Sequence, residues 1–163
     1  MPPVPDMGDT TMTDRSGQCM CGAVRFVAQD VPANYGICHC EMCRRWTGVA
    51  LVAATVPQAG VAWEGAEHIA RLQSSDWAER AWCKSCGTGL YYHVTTPGPM
   101  SGNIEIPIGL FDTTEGMALS GEIYIDHKIP SLEFNGNHSR LTRKEVLKQF
   151  GIADDFDIPD DGE

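Results

Sequence analysis

The chain has 163 residues, 42% of them hydrophobic, and a formal net charge of −10 at pH 7 from 12 basic and 22 acidic side chains. That length suits one domain with a real core, and no apolar run approaches the ~20 residues of a membrane-spanning helix. So acidic a chain is repelled by phosphate backbones and anionic lipid surfaces, which argues against nucleic acid and membrane as partners.

Residues 1–15 read as a leader of Pro, Met, Thr and Asp. It has no basic region followed by an apolar stretch, so no secretory signal is expected and the reducing cytoplasm is the expected compartment. Strand signals follow. Ala23 to Val27 alternates polar with apolar, and Val49 to Val56 is a small-residue apolar run. His68 to Leu72, Leu90 to Thr95, Ile104 to Ile108 and Glu122 to Ile125 are rich in β-branched or aromatic residues and bounded by turn formers. A short helical turn fits Glu41 to Arg45. One longer helix is signalled near the end: Thr142 caps it, Glu145 completes a capping box, Val146, Leu147 and Phe150 form an apolar stripe, and Gly151 ends it. Residues 154–163 read as an acidic tail outside the fold. The expectation is a mainly-β single domain over residues 16–153 with a C-terminal helix.

Seven cysteines carry the chemistry: Cys19 and Cys21; Cys38, Cys40 and Cys43; Cys83 and Cys86. An odd number leaves one over in any disulfide scheme, and a reducing compartment disfavours disulfides in any case. Thiols one or two residues apart can instead face one metal ion. Cys19-x-Cys21-Gly22 and Cys83-x-x-Cys86-Gly87 are natural partners, because glycine lets backbone amides turn toward the sulfurs. A zinc ion shared by these four would close a long loop and contribute on the order of 10 kcal/mol to folding.

Cys38, Cys40 and Cys43 make a second set of three. Three thiolates leave the fourth zinc position for water or a substrate atom. Arg44 and Arg45 follow directly and could offset the anionic centre or clamp a carboxylate, and Trp46 could line the pocket. Three other uses of this cluster stay open: His39 completes a structural Cys3His site, although an extended Cys38–Cys40 segment points it away; the trio holds no ion and two of its thiols pair on oxidation; or the ion is bound without turnover. His68, His93, His127 and His138 are scattered without metal spacing and read as surface or satisfied histidines.

These residues resemble the glutathione-dependent formaldehyde-activating enzyme family, which shares its domain with centromere protein V. The matching elements are Gly17-x-Cys19-x-Cys21-Gly22-x-Val24, Cys38-His39-Cys40-x-x-Cys43-Arg44-Arg45-x-x-Gly48, Cys83-x-x-Cys86-Gly87-Thr88-x-Leu90 and Ile123-Tyr124-Ile125-Asp126-His127-Lys128. Where family members often continue with Pro-Trp, this chain reads Ile129-Pro130-Ser131. The resemblance implies an Mss4-like fold of small β-sheets stabilised by zinc. It also implies a structural zinc on Cys19, Cys21, Cys83 and Cys86, and catalysis at Cys38, Cys40 and Cys43, which could hold a second zinc. The implied activity is of carbon–sulfur lyase type: joining a small thiol such as glutathione to an aldehyde, formaldehyde, to give S-(hydroxymethyl)glutathione. The competing expectations are a small-thiol carrier without turnover and a protein-interaction domain. An oligomer is compatible with the sequence.

Overall fold

The computed structural model describes residues 12–152. Strand accounts for 43% of these and helix for 18%, so the mainly-β expectation with a C-terminal helix holds. In chain order the strands begin with β1 (Thr13–Gln18), β2 (Arg25–Val31) and β3 (Asn34–Cys38), and helix α1 (Glu41–Thr47) follows. Then come β4 (Leu51–Pro57), β5 (Val61–Glu64), β6 (Ile69–Gln73), β7 (Ala78–Cys83), β8 (Gly89–Val94) and β9 (Asn103–Pro107). The chain ends on β10 (Ala118–Ile123), β11 (Ser139–Leu141) and helix α2 (Arg143–Gln149). Two compact units divide it: residues 12–35 with 53–118, and residues 36–52 with 119–152.

In the first unit β1, β2 and β5 form an antiparallel sheet. Strand β2 alternates as the sequence predicted, burying Phe26 and Ala28 and exposing Arg25 and Val27. The Phe26 ring packs 5.2 Å from Trp63 and 5.6 Å from Phe111, centre to centre. Strands β4, β9, β8, β7 and β6 lie side by side in that order, with antiparallel pairing throughout. Their inward residues, among them Ala54, Val56, Leu90, Ile104 and Ile106, share one core with Val24 and Phe26. Cys19 and Cys83 belong to the same core, so the first cysteine group is rooted in it.

The second unit is smaller and its interior is less apolar. Its strands run in the order β11, β10, β3, and β11 lies parallel to β10 with Glu122 opposite Arg140. Helix α2 starts with the expected capping box: Glu145 N–H donates to Thr142 Oγ1 at 3.4 Å, and Thr142 N–H to Glu145 Oε2 at 2.7 Å. Val146 and Leu147 are buried beneath it. This unit also holds two fully buried polar residues, His39 and Glu122.

Three local expectations change. Strand β1 begins at Thr13, inside the stretch expected to be leader, because Arg15 is buried and its guanidinium donates to the Thr113 and Glu115 carbonyls at 2.9 Å each. Residues 1–11 and the expected acidic tail at 154–163 lie outside the described residues. Phe150 leaves the apolar stripe of α2, half exposed just past the last helical turn. The strand expected over Glu122 to Ile125 stops at Ile123, because Tyr124 takes a left-handed conformation, φ 58° and ψ 41°, and starts a 3-10 turn over Ile125–His127. Among the described residues no helix is long and apolar enough to cross a membrane.

Candidate metal centres

The first cysteine group is made by two turns. Cys19 to Val24 folds back on itself, with Cys19 N–H donating to Val24 O at 3.0 Å and Gly22 N–H to Cys19 O at 3.1 Å. Cys83 to Gly87 does the same through Gly87 N–H to Cys83 O at 2.8 Å. Gly22 and Gly87 sit at φ 75° and 79°, the left-handed region where a Cβ is strained. The turns bring the sulfurs of Cys19, Cys21, Cys83 and Cys86 within 4.8 Å of one another. Cys19 and Cys21 sulfurs lie 3.6 Å apart, and those of Cys21 and Cys83 3.9 Å apart. Tetrahedral zinc with ~2.3 Å bonds sets its sulfurs about 3.8 Å apart. The spacing fits.

Hydrogen bonding around the group favours thiolates unevenly. Val24 N–H donates to Cys19 Sγ at 3.3 Å. Burial pushes the Cys19 thiol up, but that amide and the neighbouring Cys21 and Cys83 thiols outweigh it and lower the pKa. The Thr88 hydroxyl, 3.1 Å from Cys86 Sγ, and the Thr88 amide bring Cys86 down to about 5. At Cys21 the Ala23 amide favours the thiolate, yet desolvation and the adjoining thiols push it up to about 11. Four thiols this close cannot all ionise without a cation among them, and a divalent cation supplies what the cluster needs.

The second group lies wholly in the second unit. Cys38 ends β3, Cys40 caps α1 and Cys43 sits one turn into that helix, and their sulfurs also fall within 4.8 Å of one another. Cys40 O accepts from Arg44 N–H at 3.0 Å, the bond that winds the chain back toward the first two cysteines. The Cys40 and Cys43 thiols, together with burial, hold the Cys38 thiol well above its ordinary range. This trio likewise lacks only positive charge to become three thiolates. Each group could hold a metal ion.

The residues expected beside the trio part company. Arg44 turns back, its Nε donating to His39 O at 3.2 Å. Arg45 is largely exposed and pairs with Glu41 one helical turn earlier. Trp46 is half-buried. His39 does not join the sulfurs. It is fully buried, with Nε2 2.7 Å from Glu122 Oε2. The other carboxylate oxygen, Oε1, lies 2.6 Å from His138 Nε2 and 3.3 Å from Arg140 Nε. Both ring Nδ1 atoms are buried without a hydrogen-bond partner. Burial pushes the Glu122 carboxyl up, but hydrogen bonds from His138 and His39 outweigh it and hold its pKa below the ordinary value.

Sequence reasoning missed Glu122, His138 as its partner, and Tyr124. Glu122 left one trace, a lone acid beside the apolar run Ile123-Tyr124-Ile125. Tyr124 is half-buried and its ring meets His127 edge-on at 5.8 Å. Burial, then the charges of Cys38 and Cys40, push its phenol up to about 12.

Fold and cysteine geometry thus define a mainly-β protein with two candidate metal centres, one of four thiols and one of three. The model of the glutathione-dependent formaldehyde-activating enzyme family matches residues 14–127, and the chain belongs to that family. An uncharacterized lyase of Schizosaccharomyces pombe is 31% identical over 137 residues, covering 84% of this chain and 97% of that protein. A crystal structure of a Rhodobacter sphaeroides protein agrees in fold, with a TM-score of 0.50 and 19% identity over 77% of this chain and 98% of that one.

Proposed function

We propose that the protein is a zinc-dependent enzyme of carbon–sulfur lyase type, joining a small thiol to an aldehyde and splitting the adduct. Glutathione and formaldehyde are the pair named by the family, and the lyase name of the fission-yeast relative supports the reaction class. The observation that carries the reading is the inequality of the two centres. Cys19, Cys21, Cys83 and Cys86 supply a full tetrahedral set, suited to a structural ion. Cys38, Cys40 and Cys43 supply three ligands and leave a fourth direction for a substrate.

When bound by three thiolates, zinc supplies an open position that favours the deprotonated form of an incoming thiol. The surrounding residues do the rest. Arg44, tied through Nε to His39 O, can offer its remaining guanidinium N–H groups to a carboxylate of the thiol. Tyr124, whose phenol is protonated at neutral pH, can donate to the aldehyde oxygen as it gains charge. In the forward direction a sulfur–carbon bond forms, the carbonyl π pair moves to oxygen, and the proton lost from the thiol ends on that oxygen as a hydroxyl. The reverse path breaks the same bond. Seven free cysteines suit a reducing compartment such as the cytoplasm.

The test is the rate of adduct formation from glutathione and formaldehyde, with the parent and Cys40→Ser proteins measured beside the spontaneous reaction. The parent should exceed both. Equal rates overturn catalysis, and thiol affinity without turnover would make the protein a carrier.

A further inference from the structure

The second unit buries a carboxylate between two histidines, and nothing in the proposed chemistry uses it. Glu122 accepts from His39 at one oxygen and from His138 at the other. Burying a charge is expensive, and replacing such a cluster by apolar residues of similar volume is often neutral or stabilising. A small unit short of apolar core would gain by that exchange. The cluster therefore calls for a use other than packing.

Its location supplies one. His39 stands between Cys38 and Cys40, and it is held at almost every polar point. Its N–H donates to Ile123 O at 3.0 Å, its carbonyl accepts from Arg44 Nε, and its Nε2 lies against Glu122. Glu122 and Ile123 are adjacent on β10, so one strand grips this residue through both backbone and side chain. His138 stands just before β11, whose Arg140 pairs with Glu122 across the ladder. The carboxylate thus pins the segment bearing Cys38 and Cys40 to two strands at once.

We propose that Glu122 is a positioning residue for the three-cysteine centre: by holding His39 from one side and His138 from the other, it fixes the Cys38–Cys40 segment in the geometry that binds metal. A centre with three protein ligands has no fourth bond to correct a misplaced sulfur, so the polypeptide must set the geometry beforehand. Outer partners of this kind typically change metal affinity 10- to 100-fold. The inference rests on the proposed metal role of Cys38, Cys40 and Cys43.

The experiment uses the zinc-loaded protein challenged with chelators of graded affinity, and the same protein substituted with cobalt(II) for absorption spectra. Cys40→Ser identifies which signals belong to the three-cysteine centre. In Glu122→Gln, zinc at that centre should be released about 10- to 100-fold more readily, and its cobalt bands should shift. The four-cysteine centre should keep its affinity and spectrum. Unchanged release and bands at the three-cysteine centre overturn the inference while leaving the function intact. Equal weakening of both centres with loss of circular dichroism overturns it too, since Glu122 would then be merely structural. If Glu122→Gln does not fold, His138→Gln decides. It leaves the His39 bond and removes the other anchor, so a smaller but selective loss at the three-cysteine centre supports the inference and parental behaviour overturns it. A parent that holds only one ion brings down the function and the inference together.

Discussion

His39 turns its ring away from the sulfurs of its two neighbours and sets Nε2 2.7 Å from Glu122 Oε2. One residue thereby separates two kinds of chemistry. The cysteines on either side face a candidate ion, and the histidine between them faces a buried carboxylate. The same pair yields a pH prediction. Because the Glu122 pKa is lowered in the folded protein, its contribution to stability is complete above the ordinary value of 4.5 and is lost as pH falls through the depressed one. Glu122→Gln should be less stable than the parent at neutral pH, and the difference should shrink progressively below pH 4.5. Denaturant unfolding across that range measures it. A difference independent of pH would contradict the assignment of charge.

Arg44 and Arg45 are adjacent in sequence but should behave differently. Arg44 is anchored to the residue between two cysteines, whereas Arg45 is spent on an exposed pair with Glu41. Arg44→Ala should raise the KM for glutathione about tenfold, the worth of a charge-assisted hydrogen bond. Arg45→Ala should change it by no more than about threefold, as exposed pairs contribute little. Steady-state kinetics on the two variants separates them.

Tyr124 carries a backbone conformation that is unusual for an aromatic residue, and such outliers concentrate at functional sites. Tyr124→Phe keeps the ring and removes only the donor. We expect kcat to fall about tenfold with the zinc content unchanged. A fall in zinc content instead would assign the residue to metal retention.

Gly65 tests the packing behind the first cysteine turn. Its φ of 74° suits glycine, and a Cβ there would sit 1.9 Å from the Ala23 carbonyl oxygen, inside the Cys19 to Val24 turn. Gly65→Ala should cost about 2 kcal/mol or more, read as a lower thermal midpoint. An unchanged midpoint would mean the turn relaxes freely.

Features written in neighbouring residues were legible in the sequence. Close cysteine spacings, with following glycines in the first set, foretold two groups of sulfurs, and Thr142 with Glu145 foretold the α2 cap, because each needs only a few consecutive residues. Phe150 misled because an apolar spacing does not say where the helix stops meeting the core. Glu122 was hidden for another reason. Its partners lie 83 residues before and 16 after it, and no local pattern announces a pairing made by the sheet. Tyr124 is hidden among β-rich neighbours, whose pattern outweighs a single residue in the left-handed region. The pairing of Arg45 with Glu41 is visible at helical spacing, four residues apart.

The most direct test is the zinc content per chain of protein purified under reducing conditions, measured for the parent, Cys40→Ser and Cys83→Ser. The account predicts two ions in the parent and one in Cys40→Ser with the fold retained. In Cys83→Ser it predicts loss of the four-cysteine ion together with a marked loss of stability. One ion in the parent, or two in Cys40→Ser, would contradict it.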